Sequence, residues 1–336
     1  MIPGDIGRAL GVRASGTWRP GPPGSGGGAP GTYASSLPFL LASAVGAAPE
    51  EVAARLAATL RGQDWICAAA VTGGGYLTVT VTARALAALA VRVPAAGAGW
   101  AASDALRGTE LSAPASADPA SAASWEEAWQ LVAAWVTGQL AGIAGATVKR
   151  QDNVERVPPP DQAAPAAAVA FAGTDAIRYA LASTTRGRAG RIDASRWARQ
   201  DLGNPFFAVR YAHARAASVL RWADGLGVDR GPADAFRPEL LSHRAELELL
   251  GAISWLPERA ASAARRRRPD AFARYLDGLA ARWLDCAESK PALPFGGRSA
   301  PHDEQEAAAR LWLAAAAQAA LGSGMRLIGV AAPQRL

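Results

Sequence analysis

Residues Asn204–Gly225 combine aromatic rings with cations at a spacing that suits one helix. Asn204 is a favourable N-cap, Pro205 suits the first helical position and Gly225 suits a left-handed C-terminal position, so we expect a helix of about twenty residues. Four side chains share one face of that helix at about 100° per residue: Phe206, Arg210, His213 and Arg221. Aromatic rings beside arginines can stack unpaired bases and hold the surrounding phosphates.

The same periodicity also fits a solvated face whose arginines pair with acidic neighbours. On the adjacent face, a second set of residues forms a plausible core stripe: Phe207, Tyr211, Ala214, Ser218 and Trp222. The spacing alone leaves the choice between nucleic-acid binding and solvation open.

Motifs for hydrolysis and for metal binding are absent from the sequence. No Gly-x-Ser-x-Gly occurs, and neither Lys149 nor Lys290 follows a glycine as a phosphate-binding loop requires. The three histidines are too dispersed for a zinc motif: His213, His243 and His302. We therefore predict no catalytic residue, no metal site and no cofactor.

The charge of the chain is uneven. Its 336 residues carry a net charge of +6. Lysines and arginines number 7 over residues 1–95, 4 over 96–172 and 24 over 173–336. Aspartates and glutamates number 4, 8 and 17 over the same ranges. Nearly all the cations are arginines, which suit forked phosphate contacts, so the C-terminal part favours a nucleic-acid partner. The longest apolar runs are about half the length of a membrane-spanning helix, and no secretory signal is recognisable. We therefore expect a cytoplasmic protein that does not associate with a membrane.

Composition divides the chain into three parts. The first 95 residues predict a small α/β module, with a helix opening at Pro49 and a hairpin formed by Trp65–Val71 and Tyr76–Val81. Residues 95–124 have few large apolar groups and predict a linker without a core.

The rest of the chain is mostly helical in pattern. Residues 125–144 predict an amphipathic helix followed by a short strand at 146–149, and 157–167 predict a proline-rich spacer. From Asp175 onward the pattern predicts a bundle of four to six helices. The expected fold is multidomain and predominantly α, with an α/β module (1–95), a short degenerate linker region (96–172) and an all-α helix bundle (173–336).

Three separated segments of the C-terminal part match one family in the right order. Residues 204–225 resemble the anticodon-binding helix of arginyl-tRNA synthetases, with Tyr211-Ala212-His213-Ala214-Arg215 matching outright. Residues 175–179 (Asp-Ala-Ile-Arg-Tyr) resemble the signature of that family's DALR anticodon-binding domain. Residues 327–336 resemble the family's C-terminal segment. The resemblance implies an all-helical domain that binds tRNA.

The N-terminal part resembles the same family's tRNA-binding domain. The similarity lies in residues 31–36, which include Tyr33, and in Gly73-Gly74-Gly75-Tyr76-Leu77. In the family this domain contacts the tRNA elbow. Thr32 and Ser36 replace the family's aspartate and asparagine, which changes the detail of those contacts.

The catalytic domain of the family has no counterpart of full size between these two parts. No histidine precedes Val209, and Lys149 is the only lysine there, so the cations that stabilise adenylate formation are missing. Residues 133–152 are similar to the helix and strand that follow the first catalytic motif, which places Ser124-Trp125-Glu126-Glu127 at the His-x-Gly-His position. Any alanine-rich helix followed by a strand would give a comparable match.

The resemblance implies a non-catalytic relative of arginyl-tRNA synthetase that binds tRNA, with tRNA-Arg as the candidate. The expected RNA-facing residues are Phe206, Arg210, His213, Arg215, Arg221 and Tyr33. Two alternatives stay open. One is a protein-interaction or regulatory module that has reused the scaffold to hold a protein partner, and the other is part of a split arginine-tRNA ligase.

Overall fold

The computed structural model describes residues 2–11, 17–20, 29–151, 164–293 and 304–336. The strands are β1 (Trp18–Pro20), β2 (Thr32–Ser35), β3 (Ile66–Thr72), β4 (Tyr76–Val81), β5 (Glu110–Pro114) and β6 (Thr147–Gln151). The helices before β6 are α1 (Ile2–Ala9), α2 (Leu37–Val45), α3 (Pro49–Arg61), α4 (Ala83–Ala87), α5 (Leu89–Ala96) and α6 (Trp125–Ile143). Those after β6 are α7 (Ala164–Ala172), α8 (Thr174–Ser183), α9 (Ala194–Trp197), α10 (Pro205–Gly225), α11 (Arg244–Ser254), α12 (Leu256–Arg265), α13 (Pro269–Ser289) and α14 (Glu304–Ile328).

The N-terminal module is an antiparallel sheet in the order β1-β2-β4-β3 with α2 and α3 packed against it. The predicted hairpin is confirmed as β3 and β4. Alternate residues of β4 are buried: Leu77, Val79 and Val81. The turn before β4 requires glycine, because Gly75 has φ +115° and a Cβ there would lie 2.8 Å from the Cβ of Pro49.

The central part of the chain folds as a parallel β5-α6-β6 unit. The register pairs Glu110 with Thr147 and Pro114 with Gln151, and α6 supplies the crossover that parallel strands need. A Cβ at Gly138 would lie 2.5 Å from the Cβ of Ala113, so this glycine allows α6 to approach the sheet closely.

The expectation that residues 95–124 contribute no core is wrong. Residues 97–101 form a 3₁₀ turn in which Trp100 is buried, and β5 places Ala113 against α6. Sequence pattern missed β5 because its five residues (Glu-Leu-Ser-Ala-Pro) are short and mostly small or polar. Part of the predicted spacer 157–167 lies outside the described residues, and from Ala164 it is helical.

The C-terminal part is a bundle, as predicted. In the described part of the chain it has six helices of ten or more residues: α8, α10, α11, α12, α13 and α14. α14 lies against α10, α13 and α5. Its length and composition would suit a membrane span, but 78% of that apolar window is buried within the fold, which is typical of a core helix.

The N-terminal module packs directly on the bundle. The Tyr33 hydroxyl lies 2.8 Å from Ser254 Oγ, and the Tyr33 ring lies 5.3 Å from the ring of Trp255. The Trp100 indole donates a hydrogen bond of 3.2 Å to the carbonyl of Ile253. These contacts fix the module to the α11–α12 corner of the bundle.

Candidate nucleic-acid interface

The helix α10 begins as the sequence predicts. The Asn204 side chain accepts a hydrogen bond from the backbone N–H of Phe206 at 3.1 Å, and its amide donates to the carbonyls of Trp197 and Arg199. One residue therefore caps the helix and holds the preceding loop. The left-handed residue after the helix is Gly227, with φ +69°, rather than the predicted Gly225.

The first part of the predicted RNA face is buried. Phe206 is 7% exposed, and its ring lies 5.8 Å from that of Tyr179, whose hydroxyl donates to Asp277 at 2.6 Å. The Arg210 guanidinium lies 5.1 Å from the centroid of the Phe206 ring. Phe206 is thus a core residue that supports Arg210 by a cation–π contact.

The remainder of that face is covered by a tail segment, Val330–Gln334. His213 donates through Nδ1 to the carbonyl of Pro333 at 2.8 Å, and Arg221 donates to the carbonyl of Gln334 at 2.7 Å. Burial lowers the pKa of His213, which keeps the imidazole neutral near pH 7. Both residues hold the tail against α10.

The expectation that Phe206, His213 and Tyr33 face RNA is therefore corrected. Tyr33 is 1% exposed and His213 is 4% exposed, so neither can stack on a base in this structure. The helical period gives the angle at which a side chain leaves the helix, but it does not say which neighbour covers that angle. Here α8 and the tail cover it.

The opposite result holds for the face predicted as core. It lines a cavity of about 560 Å³ between α10, α13 and α14. From α10 come Tyr211, Ala214, Arg215, Ser218, Val219 and Trp222; the other walls include Trp283, Cys286, Lys290, Arg310, Leu313 and Leu336. Trp222 is 57% exposed at the cavity rim. Arg215 is the predicted site residue that belongs to this cavity.

Three cations, Arg215, Lys290 and Arg310, and one acid, Glu288, line the cavity. Arg215 donates to the Tyr211 hydroxyl at 3.3 Å, and neither Arg215 nor Lys290 has an ion-pair partner among the residues that the structure describes. By contrast, Arg310 is paired with Glu246 at 3.0 Å and with Glu306 at 2.9 Å. Aromatic walls with two unpaired cations can hold an unpaired base and its phosphate.

Reactive chemistry is not favoured in the cavity. Burial raises the pKa of the Cys286 thiol to about 12, so the nucleophilic thiolate is scarce at neutral pH. Among the described residues, no group of three or more His, Cys, Asp or Glu side chains is arranged to hold a metal ion.

A second aromatic surface lies on the N-terminal module. The rings of Phe39 and Tyr76 meet edge to face with centroids 4.9 Å apart, and both are partly exposed beside Leu40. The alternation of β4 could have identified Tyr76, because Leu77 and Val79 point inward. The family resemblance pointed to Tyr33 instead, which is buried.

The Asp-Ala-Ile-Arg-Tyr segment joins three parts of the fold. Asp175 accepts from the backbone N–H of Ala331 at 2.8 Å, and Arg178 donates to the carbonyls of Gly329 and Ala117. The segment therefore ties the tail to the loop that follows β5, while Tyr179 enters the core. Its role in this structure is positional.

Comparison with known families matches both ends of the chain. The DALR anticodon binding domain matches residues 209–336, and the arginyl tRNA synthetase N terminal domain matches residues 28–81. The chain therefore contains two domains of the arginyl-tRNA synthetase type. The cavity and the tail lie within the DALR match, and β2, β3 and β4 lie within the N-terminal match.

Individual arginine-tRNA ligases are similar to this chain over part of its length. The arginine-tRNA ligase of Clavibacter sepedonicus is 38% identical over 171 residues, covering 49% of this chain and 28% of that protein. The ligase of Pseudarthrobacter chlorophenolicus is 34% identical over 205 residues, covering 59% and 34%. The chain thus spans about a third of the length of these relatives.

A solved structure shares the fold. The Thermus thermophilus arginyl-tRNA synthetase superimposes with a TM-score of 0.66 at 14% identity, in an alignment extending over 100% of this chain and 99% of that chain. The chain, including its central βαβ unit, therefore has the fold of that synthetase structure.

Proposed function

We propose that this arginyl-tRNA synthetase relative binds tRNA, with tRNA-Arg as the first candidate, and does not aminoacylate it. The observation that carries the proposal is the cavity of the DALR domain. Its volume falls within the roughly 300–1,000 Å³ of small-ligand sites, which is ample for one base. Tyr211 and Trp222 offer ring faces for stacking, and Arg215 and Lys290 supply the charge for a phosphate.

The N-terminal module would provide a second contact. Phe39 and Tyr76 form an exposed aromatic pair, which suits an unstacked base of a folded RNA. Because the module is fixed to the bundle through Tyr33, and through Trp100 in the turn that follows the module, the two contacts would keep a constant separation. Such a pair of sites suits a rigid RNA of defined length. Like tRNA, the protein would act in the cytoplasm.

Absence of aminoacylation is proposed from the N-terminus of α6. Ser124 Oγ accepts from the N–H of Glu127, and the Glu127 carboxylate accepts from the N–H of Ala123. This reciprocal cap occupies donors that could otherwise face a triphosphate. With Glu126 and Glu127, the first turn is acidic, so a nucleotide anion would be repelled there.

Retention of total tRNA by the purified protein, measured over a salt series and followed by sequencing, tests the binding proposal. We expect arginine acceptors to be enriched and the affinity to fall steeply as salt rises. No retention at low salt would reject tRNA as the ligand and would favour the alternative of a protein partner.

Double substitution of the cavity aromatics, Tyr211→Ala with Trp222→Ala, sharpens the assignment. Since stacking contributes about 1–3 kcal/mol per base, we expect at least a tenfold loss of tRNA affinity. Phe171→Ala is the matched control, because Phe171 is an aromatic residue that is 66% exposed on α7, away from the cavity. Equal affinities of all three proteins would place the binding site elsewhere.

The proposed absence of aminoacylation is tested by a charging assay. Protein, arginine, ATP and tRNA are combined, and charged tRNA is quantified. We expect none above the level without protein. Charging would overturn the non-catalytic proposal while leaving the binding proposal intact, and charging only after addition of another chain would favour the split-ligase alternative.

A further inference from the structure

Seven arginines form a continuous feature on α12, on α13 and in the turn between them, which we call the arginine strip. Its members are Arg259, Arg265, Arg266, Arg267, Arg268, Arg274 and Arg282. Apart from Arg282, the strip lies on α12, in the turn and in the first third of α13, whereas the cavity residues of α13 begin at Trp283. Residues 265–268 and Arg274 and Arg282 are all exposed.

Electrostatic neighbours connect the members. The charges of Arg259 and Arg282 both act on the Tyr275 hydroxyl, and the charge of Arg266 acts on Arg259. Arg268 and Arg274 meet at the buried carboxylate of Asp270, at 2.7 Å each. The exposed run of residues 265–268 is therefore joined to α13 through Asp270.

Carboxylates balance only part of this charge. Asp270 binds Arg268 and Arg274, and the charge of Arg274 also acts on Asp277. Glu258 acts on Arg259. No ion pair to an acid is found within the described ranges for the remaining members, Arg265, Arg266, Arg267 and Arg282. Arg259 lies over the Trp255 ring at 5.5 Å. Burial lowers its pKa; Arg266 acts in the same direction, and Tyr275 and Glu258 act against it. Like charges held together in this way destabilise the free protein.

The backbone of the turn adds a second cost. Arg268 N–H bonds to the carbonyl of Ala263 and Arg267 N–H to that of Ala264, the two bonds of a Schellman motif. Arg267 stands at the left-handed position of that motif, with φ +51°, where glycine is usual. It is the only non-glycine residue with positive φ among those described. Strained backbone of this kind is found preferentially at functional sites.

Stabilisation of the α12 C-terminus does not explain the whole strip. A cation there favours the helix dipole, but that effect decays within the last turn and would be satisfied by one or two arginines. Arg282 lies in the second half of a different helix. A ligand that neutralises the cluster accounts for the exposed arginines that no carboxylate binds.

We infer that the arginine strip is a second polyanion-binding surface, which holds the phosphate backbone of RNA independently of the cavity. Phosphate is favoured over an acidic protein surface because stable protein interfaces need apolar anchors. No large apolar side chain is exposed among the described residues between Gly227 and Arg335. Forked guanidinium groups match phosphate oxygens in pairs.

Fully paired RNA of about 20 base pairs is the probe, since it offers backbone without an unpaired base for the cavity. The test protein carries Arg265→Gln, Arg266→Gln and Arg267→Gln. The control carries Arg107→Gln, Arg237→Gln and Arg244→Gln, which removes the same charge from exposed positions elsewhere. The slope of log affinity against log salt should fall by about 2 to 3 for the test protein only.

Several outcomes would overturn the inference. These are an unchanged slope in the test protein, an equal loss in the control, or no binding of duplex by the wild-type protein at low salt. Polyglutamate bound as tightly as RNA, with the same loss in the test protein, would assign the strip to an acidic protein. The cavity variant Tyr211→Ala with Trp222→Ala should bind duplex normally, so failure of the tRNA proposal remains distinguishable.

Replacement of Arg267 alone separates ligand binding from helix capping. Arg267→Gly relieves the left-handed backbone and removes one cation, so we expect a higher Tm together with a duplex affinity lowered about threefold or more. A higher Tm with unchanged affinity would show that the residue serves only the helix end and would contradict the inference.

Discussion

On α10, the face whose composition indicates RNA binding is covered, and the face whose composition indicates a core stripe is open. The face with Phe206, Arg210, His213 and Arg221 is covered by α8 and by the tail. The face with Tyr211, Ser218 and Trp222 is open and lines the cavity. Charged residues on the first face act by holding a backbone segment, whereas aromatic residues on the second face are accessible to a ligand.

This difference shows that the burial of a helix face depends on the segment packed against it as much as on the residues of the face. An arginine can be retained to bind carbonyl groups, as Arg221 does with Gln334 and Arg178 does with Gly329 and Ala117. A tryptophan can stand at the surface where a cavity opens. Stability and affinity should therefore respond oppositely to substitutions on the two faces.

Phe206→Ala should have the largest effect on stability. Removal of a buried ring leaves a cavity beside Tyr179, and we expect unfolding free energy to fall by about 3–4 kcal/mol. At a temperature where the variant is folded, its tRNA affinity should stay within about twofold of wild type. Urea unfolding and RNA binding measured together check this. A large affinity loss in a fully folded variant would mean that the covered face opens on binding.

Arg221→Ala should have an intermediate effect. The substitution removes the bonds to Gln334 and to Ser218, which costs about 1–2 kcal/mol. The backbone amides of the tail should exchange hydrogen faster, while those in the middle of α10 should not. Arg244→Ala is the control, since Arg244 is exposed and pairs only within its own helix with Glu248. Unaltered exchange in the tail would contradict a holding role for Arg221.

The composition of α10 anticipates its start and length but not its orientation. Asn204 and Pro205 define the N-terminus through local chemistry, which the sequence contains in full. Which face is buried depends on a tail more than one hundred residues later, and no periodicity within α10 reports it. The same reason explains Tyr33, whose partner Ser254 belongs to another part of the chain.

In the βαβ unit, the sequence predicts one helix and one strand but not the other strand. Its helix α6 and strand β6 follow from amphipathic spacing, but β5 has too few apolar residues to be recognised before its pairing with β6 is known. The family resemblance anticipated both terminal domains from motifs. It did not anticipate that the Asp-Ala-Ile-Arg-Tyr motif ties the tail, since this depends on contacts with Gly329 and Ala331.

His213→Asn should have the smallest effect, seen in pH dependence. Burial lowers the folded-state pKa of His213 below its ordinary value near 6.5, so the unfolded chain takes up this proton more readily. The stability contribution is present above about pH 6.5 and is lost as pH falls through the folded-state pKa. In the variant, whose amide can still donate to Pro333, that part of the pH slope should be absent. An identical acid limb in both proteins would assign the slope to other groups.

The turn at Gly329 gives the protein an intrinsic spectroscopic reporter. Gly329 has φ +79°, and a Cβ there would lie 2.6 Å from the ring of Trp135 on α6, so the turn that leads into the tail lies directly against an indole. Release of the tail would admit water to that ring and shift its fluorescence emission to the red. The difference spectrum between the protein and its Trp135→Phe variant would therefore follow the seating of the tail in solution without any added label.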